Sequence, residues 1–171
     1  MKIKLRIFSL VCFLMLLVAS CTVSYRFNGA SIDYSQIKTL TISNFNNLAP
    51  LVNPSLAPLL NESLRDAYSK QTRLVQVRSG GDLELEGEIT GYVLTPMSIA
   101  GDGIASETRL TITVNVRFSN RVNPNKDFER SFSAYQSFSN TQTLVQVQDE
   151  LCQTIVDELV ETIFNQTVAD W

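Results

Sequence analysis

Arg109-Leu110-Thr111-Ile112-Thr113-Val114-Asn115-Val116-Arg117-Phe118 is the stretch whose reading decides the fold. Leu110, Ile112, Val114, Val116 and Phe118 share one parity, with polar or charged residues between them. Strict alternation of this kind is the mark of a β-strand with one face covered and the other open to water or a partner. Upstream, Leu83, Leu85, Ile89 and Val93 repeat the pattern on one parity, and Glu84, Glu86, Glu88 and Thr90 take the other. Gly87 and Gly91 fall on the apolar parity, which predicts bulges or the close approach of a helix. Residues 95–106, from Thr95-Pro96 to Ser106, read as a loop. Downstream, Asn120 to Asn125 with Pro124 turn the chain back into a strand carrying Phe128, Phe132 and Ala134.

Helices flank this meander. Asn53-Pro54 is a helix start, with asparagine as cap and proline at the first helical position. Leu56, Leu59, Leu60, Leu64, Ala67 and Tyr68 then recur at helical spacing as far as Gln71. The last element is predicted as a long helix from Thr141 to Val168. Leu144, Val147, Leu151, Ile155, Leu159 and Ile163 form its stripe, widened by Cys152, Val156, Val160 and Phe164. A stripe that wide packs on a sheet, the competing arrangement being a two-stranded coiled coil. Before the first helix, Lys38 to Phe45 alternates as a strand, with Leu40, Ile42 and Asn44 on one side. Leu74 to Val77 is a further short strand. The expected fold is α+β: a two-layer sandwich of a mostly antiparallel four- to five-stranded sheet with two helices packed on one face.

The N-terminus sets the compartment. Lys2, Lys4 and Arg6 precede an apolar run, Ile7 to Val18, too short to span a bilayer comfortably, and Val18-Ala19-Ser20-Cys21 closes it. A cysteine directly after the small pair marks a lipoprotein signal, against the alternative of a plain secretory leader with a chance cysteine. Residues 1–20 are then a removed signal peptide, and Cys21 is the lipidation site. Residues 21–37 form the lipid anchor and leash, in which Tyr25 and Phe27 alternate and whose end adds a short edge to the fold. Residues 38–171 are one domain. Two or three acyl chains hold such a protein stably, where one would be marginal.

Composition excludes several classes. The leader carries three of the 14 basic residues and none of the 17 acidic ones, so the mature chain has net charge −6. That is a poor balance for nucleic-acid binding, which depends on neutralising phosphates. The chain contains no histidine, the commonest general base and metal ligand. Ser79-Gly80-Gly81-Asp82 is a turn signal, and Gly101-Asp102-Gly103 lacks the lysine and hydroxyl of a phosphate loop. The carboxylate pairs Glu84/Glu86 and Asp157/Glu161 read as solvated surface, and Cys152 as a small buried hydrophobe. No enzyme, metal or cofactor is expected.

Taken together, Tyr25-Arg26-Phe27-Asn28-Gly29, Thr41-Ile42-Ser43-Asn44-Phe45-Asn46-Asn47 and Asp82-Leu83-Glu84-Leu85-Glu86-Gly87-Glu88-Ile89 resemble a known family. Tyr92, Thr95-Pro96, Arg109 to Val114, Asp127-Phe128-Glu129 to Phe132 and the terminal Trp171 extend the match. The family is that of the LptE lipopolysaccharide-assembly lipoproteins, and the similarity is greatest to its Bacteroidetes-type branch. The resemblance implies a periplasm-facing outer-membrane lipoprotein that sits within the LptD β-barrel as plug and assembly partner and helps deliver lipopolysaccharide to the surface. A pilotin or adaptor lipoprotein escorting another outer-membrane channel is the alternative. Among basic residues, Arg109 and Arg117 share the polar parity of the central strand, Arg121 continues it, and Lys126 and Arg130 lie close by. Guanidinium groups bind phosphate through paired hydrogen bonds, so these five are the candidate lipopolysaccharide contacts. Glu107, Asp127 and Glu129 lie near enough in sequence to pair with them instead.

Overall fold

The computed structural model describes residues 32–51, 53–98 and 105–168. In chain order the elements are β1 (Thr39–Ile42), β2 (Asn46–Asn47), α1 (Leu56–Gln71), β3 (Val75–Gln76), β4 (Leu83–Ser98), β5 (Ala105–Asn120), β6 (Phe128–Ser139) and α2 (Leu144–Val168). One mixed sheet runs β3-β1-β4-β5-β6, with β2 also pairing on β4. The long β4–β5–β6 part is antiparallel, whereas β1 lies parallel to both β3 and β4, and β2 parallel to β4. Both helices cover one face, so the two-layer α+β sandwich is borne out. The parallel contacts follow from α1, which carries the chain back across the sheet between β1 and β3.

The even residues of β5, Leu110 to Phe118, are all buried beneath α2 residues such as Ile155, Leu159 and Ile163. Thus the broad stripe of α2 is a sheet-packing face and not a coiled-coil seam. Its first two turns run past this core: Leu144 and Val147 are only half-buried, and Val145 is 86% exposed.

Several boundaries differ from the sequence reading, each for a local reason. The alternation of β4 changes parity midway, because the register jumps between Ile89 and Gly91 and leaves Thr90 as an extra residue. Beyond this bulge Tyr92 turns into the core, while Val93 faces out at 54% exposure, opposite to its predicted side. The strand predicted over 38–45 breaks after Ile42, and Phe45 rather than Asn44 turns inward. Phe45 is locked there by Asn61 of α1, whose Oδ1 accepts the Phe45 N–H (2.8 Å) and whose Nδ2 donates to the Phe45 carbonyl (3.0 Å). Its ring rests against Gly87. A Cβ at that position would collide with the ring and with the Asn115 carbonyl of β5, so the predicted close approach is made by a side chain, not a helix.

Helix α1 begins at Leu56, later than the predicted Asn53-Pro54 start. Asn53 is buried, and its Oδ1 accepts the Ser55 N–H (3.0 Å) in a turn that precedes the helix. The predicted loop over 95–106 is shorter, because β4 extends to Ser98 and β5 begins at Ala105. Residues 32–37 form a turn rather than an edge strand. Asp33 accepts the Ser35 and Gln36 groups, while Ile32 and Tyr34 pack on the core. The signal peptide, Cys21 and the Tyr25/Phe27 alternation lie outside the described residues.

Candidate functional site

The outer face of β4–β5–β6 is the surface that the helices leave open, and its chemistry changes along the strands. At one end charges interleave. Arg117 of β5 lies between Glu129 of β6 (3.2 Å) and Glu86 of β4 (3.9 Å), and Arg121 reaches Glu84 (2.7 Å). Asn115 donates to Glu129 (3.2 Å); this bond first, and Arg117 second, hold the Glu129 carboxyl below the usual range. Further along, hydroxyls replace charges: Thr113 and Ser133 bond across the strands at 2.8 Å. Arg109 stacks over the Tyr135 ring, 4.1 Å from its centroid. From Ser131 to Gln148, through β6 and into α2, the chain carries no charged residue.

The five predicted basic contacts are therefore divided by the fold. Arg117 and Arg121 share the outer face, each bound to carboxylates. Arg109 lies eight residues along the strand from Arg117, about 26 Å at the usual rise per residue. Arg130 is on the opposite, helix-side face, donating to Gln166 Oε1 (2.8 Å) and stacking on Phe128. Lys126 occupies the short helical turn between β5 and β6.

Lys126 and Arg130 come together in a place that sequence reasoning missed, a cleft of about 620 Å³ at the charged end of the sheet. Asn120, Asn123, Asn125 and Gln166 bring amides to its wall, and Ile32 and Phe128 bring apolar surface. The only sequence signal was the asparagine-rich turn, which reads equally well as turn chemistry. Asp127 helps shape it by accepting the Asn120 N–H at 2.7 Å.

Polar groups inside the fold serve architecture. Asp82 accepts the backbone N–H groups of Lys38 and Thr39 and the Thr39 hydroxyl, at 2.8–2.9 Å, and these bonds hold its carboxyl below the ordinary range. Cys152 is buried beside Asn53, whose Nδ2 lies 3.5 Å from Sγ, and burial pushes its thiol up. Burial also pushes the Tyr92 hydroxyl up to about 12. A raised thiol is poorly ionised and weakly nucleophilic, as expected of a packing residue. Among the described residues no group of acidic side chains and cysteine is arranged to hold a metal ion. No described helix is long and apolar enough to cross a membrane.

The fold and its open face define a small two-layer α+β domain built to present a sheet surface. The family model of lipopolysaccharide-assembly LptE matches residues 37–167, and the chain belongs to that family. No curated protein sequence matches significantly. Among solved structures, the chain is similar to a minor lipoprotein from Acinetobacter baumannii at 18% identity and a TM-score of 0.51. The match covers 76% of this chain and 91% of that one. The protein CT253 from Chlamydia trachomatis is similar at 13% identity and a TM-score of 0.54, over 78% and 99% of the two chains. At these identities the likeness is one of fold.

Proposed function

We propose that this chain is the lipoprotein partner of an LptD-type outer-membrane β-barrel. It acts as plug and assembly factor in delivering lipopolysaccharide to the cell surface. Residues 1–20 are removed, Cys21 is acylated, and the domain faces the periplasm from the outer membrane. The observation that carries the reading is the family match, which spans nearly the whole described domain. The open face agrees with it: a sheet surface of hydroxyls and mutually neutralised charges suits the polar interior wall of a wide barrel. Acylation raises the local concentration of the domain near its partner. The role requires no catalysis and no cofactor.

Lipopolysaccharide phosphates are the proposed ligands of the basic side chains. Lys126 and Arg130 line the amide-walled cleft, where Arg130 would have to leave Gln166, just as Arg117 and Arg121 would have to leave their carboxylates. Affinity purification of the C-terminally tagged protein from detergent-solubilised outer membranes, with mass spectrometry, tests the main proposal. A stoichiometric LptD-type barrel is expected. A secretin, or no barrel at all, would refute it in favour of an adaptor escorting another channel.

A further inference from the structure

The short side of the sheet ends in a step. β3 stops at Gln76, opposite Leu40, and β1 stops at Ile42, before Phe45 turns inward. Gln76 Nε2 donates to the Arg65 carbonyl (2.7 Å), which ties the middle of α1 to the end of β3. Three segments therefore meet at the step: Ile42-Ser43-Asn44 at the end of β1, Arg65 of α1, and Gln76-Val77-Arg78 at the end of β3. Together they line a cleft of about 380 Å³, which shares no residue with the cleft of Lys126 and Arg130.

The polar wall of this cleft is made of hydrogen-bond donors. Arg65 gives an N–H to Asn44 Oδ1, which leaves both hydrogens of Asn44 Nδ2 for another partner. Ser43 adds a hydroxyl. Arg65 is half-buried and Arg78 exposed, and neither forms an ion pair among the described residues. No carboxylate lines the cleft. Acidic side chains of the neighbouring elements are engaged elsewhere: Asp66 by Lys70 (2.7 Å), Glu84 by Arg121 (2.7 Å) and Asp82 by the Lys38 and Thr39 N–H groups. Glu62, one turn before Arg65, is not within ion-pair distance of it. In a chain of net charge −3, two guanidinium groups in one acid-free cleft run against the prevailing charge. Unlike Arg117 and Arg121, they can take an anion without first leaving a carboxylate.

We propose that this cleft binds a phosphate group, with Arg65 and Arg78 pairing to its oxygens and Asn44 Nδ2 and the Ser43 hydroxyl donating alongside. A phosphate monoester carries about −1.5 to −2 charges at neutral pH and three strong acceptor oxygens. That matches two cations and two neutral donors, whereas a carboxylate has too few oxygens to satisfy them. Guanidinium forks suit phosphate geometry in particular. Inorganic phosphate and a phosphomonoester lipid headgroup share this chemistry. The site is independent of the barrel partnership and of the contacts proposed at Lys126 and Arg130.

Phenylglyoxal modification of arginines, mapped by mass spectrometry on the protein extracted in detergent, tests the site. At ionic strength held constant with chloride, inorganic phosphate is expected to protect Arg65 and Arg78. Arg73, which stacks on Tyr34 outside the cleft, is expected to react as before. A second arm compares phosphatidylcholine vesicles with and without phosphatidic acid. Protection by inorganic phosphate supports a free-phosphate site, and protection by phosphatidic acid alone supports a headgroup site. Protection in neither arm, or equal protection of Arg73, overturns the proposal. Arg65→Gln is expected to raise the concentration that half-protects Arg78 roughly tenfold. Asn44→Asp, at an exposed position, is expected to do the same by placing a carboxylate beside Arg65. Half-protection of Arg78 unchanged in both variants overturns the shared site.

Discussion

Replacing Asn61 by alanine removes the one side chain that satisfies both backbone groups of Phe45. Asn61 is buried, accepts the Phe45 N–H, and donates to the Phe45 carbonyl and to the Ala57 carbonyl (2.7 Å). The Ala57 carbonyl keeps its helical partner, but the N–H and C=O of Phe45 are left unpaired beneath α1. Each such group costs roughly 1–3 kcal/mol, so the expected loss for the two is about 2–6 kcal/mol, a large part of a stability of ~5–15 kcal/mol. With a urea m-value near ~2 kcal/mol/M, a loss of about 3 kcal/mol lowers the unfolding midpoint by about 1.5 M. Asn61→Leu, which fills the volume without the hydrogen bonds, is expected to lose nearly as much. Asn61→Asp keeps the acceptor but turns a charge toward two carbonyls, raising its own pKa. That variant should therefore gain stability as pH falls and the carboxyl protonates. Urea titrations followed by circular dichroism read all three. An alanine variant within about 0.5 kcal/mol of the parent would refute the latch, and a leucine variant matching the parent would assign the effect to volume.

Other perturbations separate the remaining interactions. Gly87→Ala drives a Cβ into the Phe45 ring and the Asn115 carbonyl, and thermal unfolding should show a loss of about 1–3 kcal/mol or more; an unchanged Tm would contradict the notch. Asp82 and Glu129 have folded pKa values below their unfolded ones, so their stabilisation is complete above the unfolded values and is lost as pH falls below about 4. Asp82→Asn should flatten that acid limb in a pH series of melting temperatures. Cys152 should react with a thiol reagent only after denaturation, and prompt labelling of the native protein would disprove its burial. Arg117→Ala removes exposed ion pairs and should change stability by less than about 1 kcal/mol, which urea titration in low and high salt checks.

Much of the fold was legible because it is written in local periodicity. The alternation of Leu110 to Phe118 and the broad stripe from Cys152 to Phe164 each state which side is buried without reference to any other segment. The parity change at Thr90 was not legible, since a bulge depends on how β4 is registered against β5. Nor was the exchange of Asn44 for Phe45, because the cavity that receives the ring is made by Gly87 and Asn61 from elsewhere in the chain. The basic residues illustrate the same limit: parity correctly put Arg117 outward, but only the sheet shows Glu86 and Glu129 on either side of it. Arg130 was grouped with Arg117 by closeness in sequence, yet it lies on the other face of the sheet.

The sequence by itself determined the element types, the buried faces of β5 and α2, and the exclusion of histidine chemistry, since all are properties of residue type at short spacing. Only the tertiary structure decided the mixed strand order, the carboxylate partners of the arginines, and the cleft joining Lys126 to Arg130. Each of these is a meeting of segments tens of residues apart, and short-range pattern carries no information about which distant backbone a strand will face.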